Sequence, residues 1–431
     1  MSNISGADGA DSASGGPPGG DPEAAPHLFR SLRNHRNYQL LMPGQIISGT
    51  GSWMQVTAQL WLVLDLTHGS GTAVGITAGL QLLPVVLFGL YASVLVDRFP
   101  KRRILMISQA AMGTLALVLG LLTVTGSIRV LEVYALAFGL GLVLALNRPA
   151  WSAFTYEVVG PGDVSNAAGL NSATVSMTKI VGPAVAGVLI AAVGTGPIFL
   201  INAASFGVME LMLYLMREDE LYDRDPVPRA KGQLREGLRY VRKDRDLVML
   251  MTILLLVSAF GMNFAVTDAL MSREVFHTEA SSFGVVTAMM AVGGLIGSLL
   301  SARQRQPSMR VMLVTAAAFS VLVFATGLMP NYWAFAVMQL PTGMAMTAYT
   351  TTAYSITQLR APDEMRGRVM GLYLLVFTGS GPIGFPLIGW LAETFGPRST
   401  LITGGFASLV SVVGTVAFMA PVATRKAEAR T

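Results

Sequence analysis

Between residues 39 and 422 the chain alternates long apolar runs with short polar or basic breaks. A helix of about 20 apolar residues crosses a hydrocarbon core, and the pattern predicts about twelve crossings. Those of the first half cover residues 39–64, 74–96, 104–125, 130–150, 167–193 and 197–216. Those of the second half cover 247–269, 282–302, 311–328, 333–354, 369–392 and 401–422. A membrane β-barrel would show alternating segments of about ten residues, whereas these runs are continuous and dominated by Leu, Val, Ala, Met and Gly. The predicted fold is an all-α integral membrane protein whose helices form two pseudo-symmetric six-helix bundles.

The second set of runs echoes the first. Gly169, Gly182, Gly187 and Gly194 precede Gly371, Gly384, Gly389 and Gly396 by the same 202 positions. Internal repeats of membrane helices are a transporter signature. The echo fails for charge, because Leu299 stands where Asp97 would recur and Gly381 where Lys179 would. The repeat carries packing residues, and the ionisable ones belong to its first copy.

Polar segments mark the domain map. Residues 1–28 are dominated by Gly, Ala, Ser, Pro and Asp and lack apolar periodicity, so a disordered cytoplasmic tail is expected. A six-helix bundle follows over 29–216, a linker over 217–246, a second bundle over 247–422 and a short tail over 423–431. Within the linker, Leu234, Leu238 and Val241 fall on one helical face with Arg235, Arg239, Arg242 and Lys243 elsewhere. That spacing predicts an amphipathic helix at the membrane surface, serving as a charged linker or as a lipid contact.

Composition agrees. The 431 residues are 52% hydrophobic and 13% charged, where a soluble domain carries about 25% charge. Lys and Arg resist translocation, and most of them fall on one side: Arg30, Arg33 and Arg36, the 98–103 and 217–245 segments, Arg303, Arg360, Arg366 and Arg368. Arg129, Arg273 and Arg398 fall on the other side. Both termini are therefore expected in the cytoplasm, and the net charge of +5 needs no nucleic acid to explain it. Without cysteine there is neither a disulfide nor a thiolate site, and the four histidines are scattered, so no metal and no cofactor are expected. No Walker loop is present to bind ATP.

The break after the second run reads Asp97-Arg98-Phe99-Pro100-Lys101-Arg102-Arg103. It resembles the cytoplasmic signature loop of the major facilitator superfamily, with Ser93 and Pro100 in place of two usual glycines. The resemblance implies a cytoplasmic gate in which Asp97, with Arg98, Arg102 and Arg103, engages the start of the eleventh helix at Arg366 and Arg368. The alternative is a solvated loop whose charges serve orientation only. Gly182, Pro183 and Gly187 resemble the Gly-Pro motif of antiporters in that superfamily, and Gly381, Pro382 and Gly384 interrupt the eleventh helix in the same way. These are expected to pack or gate helices. The stretches from Gly44 to Leu64 and Asn147 to Ala150, with Asn166 and Asn202, are similar to the branch that contains the enterobactin exporter and related bacterial efflux proteins. Ala135 stands where many proton-coupled exporters carry an arginine, so the usual proton relay is not carried over.

Ionisable residues inside a bilayer are costly and mark pathways by default. Lys179 lies about fourteen residues into its helix, or about 21 Å, near or just beyond mid-membrane. It could bind an anionic group or change protonation, or instead pair with a carbonyl or snorkel. Arg148, Glu210 and Asp268 are the other charged candidates, Asp268 near the outer boundary with Asp65, Arg273 and Glu274. Gln55, Gln59, Asn263 and Trp53 offer polar or aromatic contacts to a pathway or to neighbouring helices.

The resemblance and these residues together imply a secondary active transporter, not an enzyme. It is expected to be a monomer in a bacterial inner membrane that exports small organic molecules, such as a drug, secondary metabolite or siderophore, by alternating access and proton antiport. Import or lipid movement by the same fold, and a membrane scaffold or sensor, are the competing readings, since a fold alone does not set direction.

Overall fold

The computed structural model describes residues 29–222, 233–303 and 307–419. The expected tails 1–28 and 423–431 lie outside the described residues, as does the middle of the 217–246 linker. A short α1 (Arg30–Asn34) precedes α2 (Arg36–Leu66), α3 (Gly71–Arg98), α4 (Lys101–Val124), α5 (Val130–Val193) and α6 (Gly196–Tyr214). Then come α7 (Gln233–Lys243), α8 (Arg245–Gly261), α9 (Phe264–Leu270), α10 (Ala280–Ala302), α11 (Met309–Gly327), α12 (Tyr332–Arg360), α13 (Asp363–Gly379), α14 (Gly381–Phe395) and α15 (Pro397–Met419).

Nine helical runs among the described residues are long and apolar enough to span a bilayer. One of them, α5, holds two crossings joined at Gly160, while α8 with α9, and α13 with α14, each form one broken crossing. The remaining two crossings, α2 and α12, have the length but not the apolarity, because glutamines and threonines such as Gln55, Gln59, Gln339 and Thr342 punctuate them. The result is two bundles of six.

The fourth crossing does not stop near residue 150, where its pattern was expected to end. It continues helical because Ala153, Phe154, Val158 and Val159 remain on a buried face against Tyr38, Val96 and Leu105. Gly160 then turns the chain with φ 68°, a left-handed conformation that glycine tolerates. The Tyr222 ring lies about 2.9 Å from where a Cβ would stand, so the site is sterically reserved as well. Just beyond, Asp163 receives Arg30 and His35 at 3.0 Å each, which pins α1 to the junction.

Two ends of the molecule differ. We term the end carrying Asp97, Gly160 and α7 the basic end, and its opposite the far end. At the far end, helices of the two halves meet backbone to backbone. A Cβ on Gly75 of α3 would stand 2.3 Å from the Phe385 carbonyl of α14, and one on Gly284 of α10 would stand 2.4 Å from the Pro183 carbonyl of α5. A single apolar core there joins both halves, with Trp61 stacked on Phe283 at 6.3 Å. At the basic end each half keeps its own core. Gly89 and Gly169 of the first half and Gly367 and Gly371 of the second have open space where a Cβ would be. The halves are sealed at the far end and parted at the basic end, leaving a cleft between them.

The glycine echo reappears as matched contacts. Gly182 packs on α2 at Trp53, and Gly384 packs on the α8–α9 crossing at Ala259, the first helix of each half. Gly187 abuts α10 at Ala280, whereas Gly389 abuts α3 at Gly71, the second helix of the opposite half. Gly194 and Gly396 end their helices with φ 77° and 84°. Small residues let helices approach closely where no hydrophobic drive distinguishes helix from lipid, which is why these positions repeat.

Candidate functional site

Lys179 stands four residues before Pro183 on α5, hence one turn away on the same face. Pro183 touches α10 of the other half, so Lys179 faces the cleft one turn toward the basic end. Its side chain is open to solvent, yet protein surrounds it, as expected of a group lining a cleft. Its Nζ lies 5.3 Å from the Trp53 ring of α2. Arg148, on the other arm of α5, is likewise exposed. Among the described residues neither cation forms an ion pair.

Asp268 sits in the opposite half. Its side chain is buried, with 2% of its surface exposed, and Gln339 Nε2 of α12 donates to Oδ1 at 2.7 Å. The crossing is broken beside it: α8 ends at Gly261, α9 starts at Phe264, and a π-helical turn follows over Met271–Val275. Asn263 lies in the break, where its Nδ2 donates to the Ala259 carbonyl at 2.8 Å and its Oδ1 faces Gly384. Among the described residues, Gln339 Oε1 and Ser272 Oγ are buried without a partner.

The remaining polar candidates disperse. Gln55 accepts from Asn202 Nδ2 at 2.6 Å, and Asn202 accepts from Ser205, so Gln55 ties α2 to α6 rather than lining the cleft. Gln59 is buried one turn away, its Nε2 unpartnered among the described residues. Glu210 lies on α6 beside Ala110 of α4, away from Lys179 and Asp268, and one of its oxygens is buried without a partner among the described residues. Of the residues singled out from sequence, the fold brings Lys179 against Trp53 and sets Arg148 on the other arm of the same helix. It sets Asp268 and Asn263 in the other half and Gln55, Gln59 and Glu210 within the packing of the first.

At the basic end, Asp97 closes α3, with Arg98 and Arg103 exposed. Arg102 turns to α6, donating to the Leu213 and Tyr214 carbonyls and pairing with Glu218. Arg366 pairs with Asp363, and Arg368 pairs with Glu236 of α7 at 2.7 Å. Gly381 and Pro382 form the junction of α13 and α14, where Gly381 is buried against Leu82 of α3. A cavity of about 400 Å³ beside His35 and Tyr222 lies at the basic-end rim, remote from the cleft cations.

Sequence reasoning missed three pairings. Gln339 hides in an apolar run, Glu393 sits at a helix end where it accepts from Ser70 and the Thr72 amide, and Arg273 reaches Asp65 across the halves. Each is defined by a contact more than 70 residues away in sequence, which no local pattern reports.

A profile of the transmembrane secretion effector family matches residues 29–430. The chain belongs to that family. It is a major facilitator superfamily transporter rather than an enzyme. Macrolide efflux protein A of Streptococcus pyogenes is 24% identical over 386 residues, covering 87% of this chain and 95% of that protein. The multidrug efflux pump Tap of Mycobacterium tuberculosis is 27% identical over 394 residues, covering 84% and 88%. The fold is similar to a bacterial homologue of the human lysosomal transporter Spinster, at TM-score 0.69 and 16% identity, covering 89% of this chain and 96% of that one. A bacterial homologue of ferroportin gives TM-score 0.70 at 14% identity, covering 89% and 98%. This secretion effector is thus a multi-pass membrane transporter with efflux proteins among its relatives.

Proposed function

We propose that the protein exports small organic molecules across the bacterial cytoplasmic membrane by alternating access, driven by protons moving inward. The basic end is the cytoplasmic face, both termini lie there, and the cleft is the inward-facing state that loads substrate. A monomer suffices, because each half supplies one wall. The macrolide and multidrug efflux named for the Streptococcus and Mycobacterium relatives supports export of drug-like molecules.

Asp268 carries the proton reading. A buried carboxylate inside a bilayer is costly unless it is paired or neutralised, and its partner here is the uncharged amide of Gln339. Taking up a proton removes the charge, and giving it up restores it, so proton occupancy changes the energy of this crossing. The adjoining breaks at Asn263 and Met271–Val275 give that change something to move. On closing the basic end, Asp97 would engage the Arg366–Arg368 region, while the Gly182-Pro183 and Gly381-Pro382 junctions absorb the rocking.

Proteoliposomes with an imposed proton gradient test this. Wild-type protein should accumulate at least one labelled compound from a panel of anionic and cationic drugs against its gradient. Asp268→Asn should lose accumulation while retaining gradient-independent exchange of labelled for unlabelled substrate. Full proton-driven accumulation by Asp268→Asn would remove Asp268 from the coupling mechanism.

A further inference from the structure

We infer that the cleft binds organic anions with an aromatic or planar apolar body, the anionic group held between Lys179 and Arg148 and the body set against Trp53. The inference deepens the transport reading above and rests on it for the meaning of the cleft.

Three observations carry it. First, both cations stand on one helical element, α5, one on each of its arms, and both are exposed inside crossings. Cations inside a crossing are unfavourable alone and become favourable when an anion lies against them. Second, neither forms an ion pair among the described residues, whereas Arg102, Arg217, Arg273, Arg360, Arg366 and Arg368 all do. Other unpaired cations, such as Arg98, Arg103 and Arg129, are exposed at helix ends, whereas these two lie inside membrane crossings. Third, the Lys179 ammonium rests 5.3 Å from the Trp53 ring, a contact that holds the charge in the cleft and that a planar ligand can share.

The position also suits a transported ligand. Lys179 lies one turn from the Pro183–Gly284 contact that seals the far end. An anion bound there sits at the boundary between the open and the closed parts of the cleft, where opening of the far end would expose it to the other side. A guanidinium grips a carboxylate or catecholate through paired donors and an ammonium through a point charge, so Arg148 fixes orientation and Lys179 follows the anion as the helix moves.

Equilibrium dialysis of detergent-purified protein against 2-naphthoate and its neutral counterpart 2-naphthamide tests the site. Neither membrane nor gradient is present, so failure of proton coupling leaves this result untouched. Naphthoate should bind about tenfold more tightly than naphthamide, as expected for a charge-assisted contact. Lys179→Gln and Arg148→Gln should each largely erase that preference, Lys179→Arg should keep it, and Trp53→Ala should weaken both ligands. Monodisperse elution of every variant keeps the comparison interpretable. Equal binding of the two probes, absence of binding by both, tighter binding of a lipophilic cation such as tetraphenylphosphonium, or an unchanged preference in both glutamine variants would overturn the inference.

Discussion

Gly75 of α3 meets the carbonyl of Phe385 on α14 so closely that a Cβ would stand 2.3 Å from the oxygen. The contact is backbone against glycine, so no side chain can rotate away to make room. Gly75→Leu should therefore prevent the far end from closing. Overpacking costs about 1–3 kcal/mol, enough to shift the two-state balance about tenfold. Because the chain has no native cysteine, Ala392→Cys, buried at this seal, can be labelled alone. Its modification by a membrane-impermeant maleimide should accelerate in the Gly75→Leu background, and an unchanged rate would show that the seal opens and closes without this contact.

The pair between Arg273 and Asp65 also crosses the far end, with Arg273 lying 5.6 Å from the Trp61 ring. Both side chains are partly exposed, so the pair is worth about 0–1 kcal/mol. Asp65→Asn should speed the same labelling no more than a few-fold, well below the Gly75→Leu effect. A larger response would mean that charge, not packing, holds the far end shut.

Linker helix α7 is docked rather than loose. Glu236 pairs with Arg368, Tyr240 Oη donates to the Arg360 carbonyl at 3.2 Å, and a Cβ on Gly237 would stand 3.2 Å from the Arg368 carbonyl. Gly237→Leu should displace α7 and expose the chain near residue 233 to trypsin, while Glu236→Gln, which removes only a half-exposed pair, should change cleavage little. Equal protection of Gly237→Leu and wild type would place the docking elsewhere.

Asn202 joins Gln55 to Ser205 inside the first bundle. Interhelical hydrogen bonds in membranes average about 0.6 kcal/mol, reaching about 1.7. Asn202→Leu should lower the unfolding midpoint by a few degrees and leave ligand binding at Lys179 intact. Loss of binding with unchanged stability would instead make this network part of the pathway.

Periodicity alone carried the fold far. Apolar runs located the crossings, and the glycine echo at Gly182 and Gly384 marked equivalent helices, because bilayer thickness fixes helix length and close packing demands small residues. It misjudged the stretch after residue 150, since a helix that leaves the bilayer can continue on a protein-facing apolar stripe. Among site residues, Lys179 stood out because charge in an apolar run is rare. Gln55 carried the same kind of polar signal but serves packing, for its neighbour Asn202 lies 147 residues away.

By itself, then, the sequence determined an all-helical, duplicated membrane protein and which residues were too polar for lipid, because hydration and desolvation energies act on each segment locally. Tertiary structure decided which of those residues share a space. It set Lys179 against Trp53, gave Asp268 its glutamine, and closed one end while opening the other, because these outcomes depend on how separate helices rotate and pack against one another.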